Sequence, residues 1–140
     1  MQTASRLRTP AIPPPLKLPS DGVLSDISVK KLERLLLEEE IWKNPHLTLL
    51  DLATEVGTNR TYLSNYLNNS LDTNFYDYIN SVRLKAALVM LEDPASSATM
   101  IEIAESCGFN SISTFRRVFV RAKGCSLVEY RHKFLESGKR

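Results

Sequence analysis

Two stretches of this chain repeat each other. Thr48-Leu-Leu-Asp-Leu-Ala-Thr-Glu-Val-Gly-Thr-Asn59 aligns without gaps with Thr99-Met-Ile-Glu-Ile-Ala-Glu-Ser-Cys-Gly-Phe-Asn110. Four of the 12 positions are identical (Thr48/Thr99, Ala53/Ala104, Gly57/Gly108, Asn59/Asn110), and five more keep their chemical type. One residue longer in the second copy, Leu63 and Leu67 then match Phe115 and Phe119. Two copies are too few for a solenoid, so the repeat is a duplicated supersecondary unit. Each copy has the parts of a helix-turn-helix. A short helix carries aliphatic residues, a small alanine permits close approach, and a glycine ends the helix in a left-handed conformation. A second helix follows, held by two large apolar residues four apart. One such copy could equally be a bare packing hairpin. Two at matched spacing point to DNA, where the second helix of each unit enters the major groove.

The rest of the chain reads as helix as well, because apolar residues recur at helical spacing and long alternating strand patterns are missing. The predicted helices are 27–42, 49–56, 60–68, 75–91, 100–107, 112–122 and 127–134. The first turns Leu32, Leu35, Leu36 and Ile41 inward, and the fourth buries a stripe of Phe75, Tyr78, Ile79, Val82, Ala86 and Val89. Thr48 with Asp51, Thr99 with Glu102, and Ser126 with Glu129 form capping-box patterns, and Asn74 is a further cap. Five of the seven prolines fall in residues 1–22, which favours polyproline II over helix. The expected architecture is all-α: seven helices forming two helix-turn-helix subdomains joined by a long central helix. Its parts are a Pro-rich tail or linker (1–24), a first subdomain (25–73), the connecting helix (74–92), a second subdomain (93–136) and a basic tail (137–140). A 17-residue connector spans about 25 Å, enough to hold two recognition helices about one DNA turn apart.

Composition matters once it is resolved by position. The total of 18 basic and 16 acidic residues gives a net charge of +2. Residues 23–110 carry seven basic and thirteen acidic residues, whereas residues 111–140 carry eight basic and two acidic. The strongly basic end begins at the second recognition helix, where phosphates would be attracted.

Other classes find little support. Cys107 occupies the apolar place of Val56 and reads as a buried thiol, and Cys125 has no evident base. His46 lies in a loop and His132 in the basic last helix. Two cysteines 18 positions apart make neither a disulfide scaffold nor a four-ligand metal site. Neither a phosphate-cradling glycine loop nor a metal-ligand cluster occurs, so the expectation is a non-enzyme without cofactor or metal. No apolar run approaches the roughly 18 residues that span a bilayer.

Helical faces select the DNA candidates. With Leu63 and Leu67 inward, Arg60, Thr61, Ser64, Asn65 and Asn68 face outward. With Phe115 and Phe119 inward, Ser113, Thr114, Arg116, Arg117 and Arg121 do so. Asparagine can pair bidentately with adenine, and arginine with guanine O6 and N7, which makes Arg117 the strongest single reader. Arg116 and Arg121 suit phosphate, with Arg60, Ser111 and Arg131 as further candidates. Arg131 alternatively serves as a structural ion-pair residue.

Over residues 25–135 the chain resembles the DNA-binding domain of AraC/XylS-type bacterial transcription regulators. The resemblance is carried by Ile101-Glu-Ile-Ala-Glu-Ser-Cys-Gly-Phe-Asn-Ser-Ile-Ser-Thr-Phe-Arg-Arg-Val-Phe119, then Gly124 and Tyr130-Arg131. Upstream, Leu52-Ala53, Gly57, Tyr62-Leu63-Ser64, Phe75, Tyr78-Ile79-Asn80 and Arg83 fit as well. Three positions depart from the family pattern: Leu127 stands where proline is usual, no glycine occurs near Asp72, and Val120 replaces a frequent lysine. The resemblance implies base reading by Thr61, Ser64, Asn65, Ser113, Thr114 and Arg117. It also implies transcription regulation in the bacterial cytoplasm, by activation through RNA polymerase contact. Residues 1–24 are too short to fold a sensor pocket. Dimerisation or sensing is therefore expected from a domain absent here, leaving the isolated domain monomeric. The competing expectation is a helical protein–protein interaction module without DNA binding.

Overall fold

The computed structural model describes residues 24–138, with side chains to 134. The tail assigned to 1–24 lies outside this range except for Leu24, which is buried in the core. Of the basic tail, residues 139–140 also lie outside it.

Helix starts follow the local hydrogen-bond chemistry. In α1 (Asp26–Leu37), the Ser25 hydroxyl accepts from the Ser28 amide at 3.1 Å. Thr48 and Asp51 exchange side chain-to-backbone bonds at the start of α2 (Leu49–Val56), and Asn59 caps α3 (Arg60–Ser70). Asn74 caps α4 (Phe75–Glu92), and a second reciprocal box, Thr99 with Glu102, opens α5 (Met100–Ser106). Ser111 caps α6 (Ile112–Lys123), and Ser126 with Glu129 closes the third box before α7 (Leu127–Gly138). Each satisfies amide hydrogens that a helix's first turn leaves without intrahelical partners. The expected all-helical class and both helix-turn-helix units form, with no strand among the described residues.

Both repeats end their first helix in the same way. Gly57 and Gly108 take φ of +89° and +84°. The following amides, of Thr58 and Phe109, return to the carbonyls of Ala53 and Ala104 at 2.9 and 3.0 Å. The chain reverses there because glycine enters the left-handed region without Cβ strain.

Two expectations need correction. The first helix does not run to Trp42: it stops at Leu37, and Glu40 takes φ +50° before a 3-10 turn at Ile41–Lys43. This bend buries the indole, whose Nε1 donates to the Leu36 carbonyl at 2.8 Å. The stripe expected on the fourth helix is rotated. Val89 is 71% exposed, while Ile79, Arg83, Ala87 and Leu91 form the buried row with Asn80 and Leu84 beside it. Two polar residues, Asn80 and Arg83, are thereby buried, and Arg83 is accommodated because it bonds backbone carbonyls of the first subdomain. Its Nε donates to Trp42 at 2.8 Å and its Nη2 to Asn44 at 2.9 Å.

The central helix packs on α3 and the 41–43 turn on one side and on α5, α6 and α7 on the other. In the first subdomain Leu32, Leu35, Leu52, Ala53, Leu63 and Leu67 are buried. In the second, Ile103, Phe109, Phe115 and Phe119 are buried and the rings stack in series. Phe109 and Phe115 centroids lie 4.8 Å apart, and Phe119 meets Tyr130 edge-on at 5.1 Å. Such pairs add roughly 0.5–1.5 kcal/mol each beyond area burial. The two subdomains also touch directly. A Cβ at Gly108 would stand 2.3 Å from the Trp42 carbonyl oxygen and 2.9 Å from the Lys43 Cα.

Candidate nucleic-acid interface

The second helices of the two units, α3 and α6, each bury one face and leave the other open. In α3, Leu63 and Leu67 have no exposure. Arg60 and Thr61 are exposed, and Ser64 and Asn65 are half-buried. In α6, Phe115 and Phe119 are buried in the same manner, with Ser113, Arg116, Arg117 and Arg121 exposed and Thr114 half-buried. The residues expected to read bases thus lie on helix faces turned from the core.

Their hydrogen bonding separates them further. The side chains of Arg60, Arg116 and Arg121 form no hydrogen bond or ion pair with any described residue, which leaves their exposed guanidinium groups open to an anion. Arg117 is held: its Nη2 donates to the Tyr76 hydroxyl at 3.0 Å. Ser111 is engaged as the cap of α6, where its Oγ accepts from the Thr114 amide at 3.1 Å and lies 3.1 Å from Thr114 Oγ1. Arg131, expected as a phosphate or ion-pair residue, forms no ion pair with the described residues but is engaged by backbone. Its guanidinium donates to the carbonyls of Ala98 and, at 2.7 Å, Ser96, pinning the loop before α5 onto α7.

Sequence reasoning missed Tyr76 as the partner of Arg117. The two are 41 positions apart, and no local pattern signals the contact. Cys107 is buried, which raises its pKa, and Cys125 is half-buried. No group of three or more His, Cys, Asp or Glu side chains converges among the described residues. Among the same residues, no helix is long and apolar enough to cross a membrane.

Comparison with known proteins agrees with this architecture. The family model described as a helix-turn-helix domain matches residues 52–133. YkgA of Escherichia coli K12, named as an HTH-type transcriptional regulator, is 32% identical over 107 residues, covering 76% of this chain and 44% of that protein. The Msm operon regulatory protein of Streptococcus mutans is 31% identical over 85 residues, 61% of this chain and 30% of that protein. The chain therefore spans less than half the length of these curated relatives.

Among solved structures, the DNA-binding domain of AdpA, a global transcriptional factor crystallised with a target DNA, superposes with a TM-score of 0.67 at 23% identity. The match covers 79% of this chain and 94% of that one. An AraC family regulator from Rhodopseudomonas palustris CGA009 gives 0.65 at 24% identity, covering 76% of this chain and 96% of that one. These likenesses concern the fold. The fold and its open helix faces define a tandem helix-turn-helix domain. The chain belongs to the AraC-type helix-turn-helix family.

Proposed function

We propose that this chain binds double-stranded DNA sequence-specifically and regulates transcription, with α3 and α6 entering successive major-groove segments. The observation that carries the reading is the pair of matched second helices with open polar faces, the second bearing Arg116 and Arg121, exposed and without an ion pair among the described residues, around Arg117. Thr61, Ser64 and Asn65 read bases from α3; Ser113, Thr114 and Arg117 read them from α6. Arg60, Arg116 and Arg121 hold phosphates. Ser111, whose hydroxyl also caps α6, and Arg131, whose guanidinium also clamps the loop before α5, are the secondary phosphate candidates. Activation through RNA polymerase and residence in the cytoplasm extend this reading on family grounds, with sensing or dimerisation supplied by a further domain.

The test is selection of bound sites from random duplexes, followed by salt-titrated binding. Three neutralised phosphates give a slope of about −3 in log affinity against log salt. Arg116→Ala weakens all duplexes alike and reduces that slope by about 1, whereas Arg117→Ala costs about 1–3 kcal/mol and relaxes preference at one base pair. Absence of salt-sensitive binding to any duplex would leave the helical protein-interaction module as the reading.

A further inference from the structure

The bond between α4 and α6 assigns a task to a residue outside both recognition helices. We infer that Tyr76 is a positioning residue for base recognition: its hydroxyl fixes the Arg117 guanidinium and selects the edge presented to guanine. The inference rests on the DNA-binding reading above.

Arg117 is exposed, and a free arginine side chain loses rotamer entropy when it is immobilised on a base. Tyr76 stands in the first turn of α4, capped by Asn74, so its ring projects from a rigid element. Its hydroxyl accepts from Arg117 Nη2 at 3.0 Å. The guanidinium has five N–H donors in a fixed planar fork. One hydrogen on Nη2 pairs with Nε–H along the side of the fork, and the other pairs with an Nη1 hydrogen along its end. A single bond from Nη2 therefore occupies one of these edges and leaves the other whole. That remaining edge supplies the two donors that guanine O6 and N7 require.

The nature of the acceptor matters too. A carboxylate at this place would neutralise the arginine and compete with DNA, whereas a phenol hydroxyl holds it without removing its charge. Asp77 lines the same groove between α4 and α6 but is engaged by Asn74, whose Nδ2 donates to its Oδ2 at 3.1 Å. The Tyr76 ring is 51% exposed, so loss of its hydroxyl removes the contact without opening a core cavity.

The experiment compares the full chain with Tyr76→Phe, Arg117→Ala and the double variant. Binding is measured on the selected duplex and on versions carrying each base pair at the position whose preference Arg117→Ala abolishes. Tyr76→Phe lowers the guanine preference there about three- to tenfold, a part of the discrimination that a bidentate arginine supplies. It leaves preferences elsewhere and the salt slope unchanged, and it adds nothing in the Arg117→Ala background. Thermal melts confirm that the variants fold. An unchanged guanine preference in Tyr76→Phe overturns the proposal. So does uniform weakening that persists in the Arg117→Ala background, which would make Tyr76 a direct backbone contact. A wild-type chain that binds no duplex removes the DNA-binding reading itself, a failure visible before any variant is compared.

Discussion

Gly57 and Gly108 occupy the same position of the repeat and adopt nearly the same backbone, with φ of +89° and +84°, but their surroundings differ. Nothing lies within 4 Å of a Cβ built at Gly57, whereas one at Gly108 meets the Trp42 carbonyl oxygen at 2.3 Å. Gly57→Ala therefore costs only the left-handed strain of an L-residue, about 1–2 kcal/mol. Gly108→Ala carries the same strain and an overpacking penalty of about 1–3 kcal/mol or more. The obstructing atom is backbone and cannot step aside cheaply, because its carbonyl also accepts from Arg83 Nε. Urea unfolding of both variants measures the difference, and equal costs would show that the two subdomains part readily at this contact. The repeat makes both glycines legible in the sequence as helix ends. The second role of Gly108, as the point where the subdomains meet, is invisible there because its partner lies 66 positions earlier in the chain.

At the scale of elements, what could be read was what is decided locally. The three capping boxes join residues three apart, and all form as their side-chain chemistry requires. Thr48→Ala and Thr99→Ala should each cost about 1 kcal/mol, read from thermal or urea unfolding, with the exchange of Thr for Ser nearly neutral. The end of α1 was not legible, since it depends on Trp42 folding back to the Leu36 carbonyl. Nor was the rotation of α4, since Arg83 is polar by sequence and buried only through distant carbonyls. The site followed the same division: the outward faces of α3 and α6 followed from helical periodicity, and the bonds that hold Arg117 and Arg131 did not.

Another tie between elements carries a pH dependence. Tyr130 of α7 donates to Glu92 Oε2 at the end of α4, at 2.7 Å. That bond, with a smaller contribution from burial, pushes the Tyr130 pKa up to about 12 from 10.0. The unfolded chain releases this proton at lower pH than the folded one, so the contribution is complete below about pH 10 and is lost as pH rises towards 12. The melting-temperature gap between wild type and Tyr130→Phe should shrink over that window.

For the molecule as a whole, the question is what fixes one helix-turn-helix relative to the other. The 18-residue α4 spans about 27 Å and sets the distance, but a single helix leaves rotation about its ends to be fixed by packing. Arg83 supplies part of that restraint. From within α4 its Nε and Nη2 reach the carbonyls of Trp42 and Asn44, and the Trp42 carbonyl in turn abuts Gly108 of the second unit. One side chain thus secures the first subdomain to the connecting helix at the place where the second subdomain rests. Lysine keeps the charge but replaces a planar fork with a point donor, which cannot reproduce both bonds in the same geometry. Arg83→Lys should destabilise the fold by about 1–3 kcal/mol, the cost of a buried polar group left unsatisfied. Its effect on recognition should be distinct from that of any contact residue. Adding or removing one base pair between the two half-sites turns one relative to the other by about a tenth of a helical turn. Wild type should lose affinity sharply on such duplexes. Arg83→Lys, with its subdomains less firmly aligned, should bind the selected spacing more weakly and discriminate less against the altered ones, while base preference within each half-site stays the same. Unchanged discrimination between spacings would show that the packing of Gly108 and α4 aligns the recognition helices without the arginine.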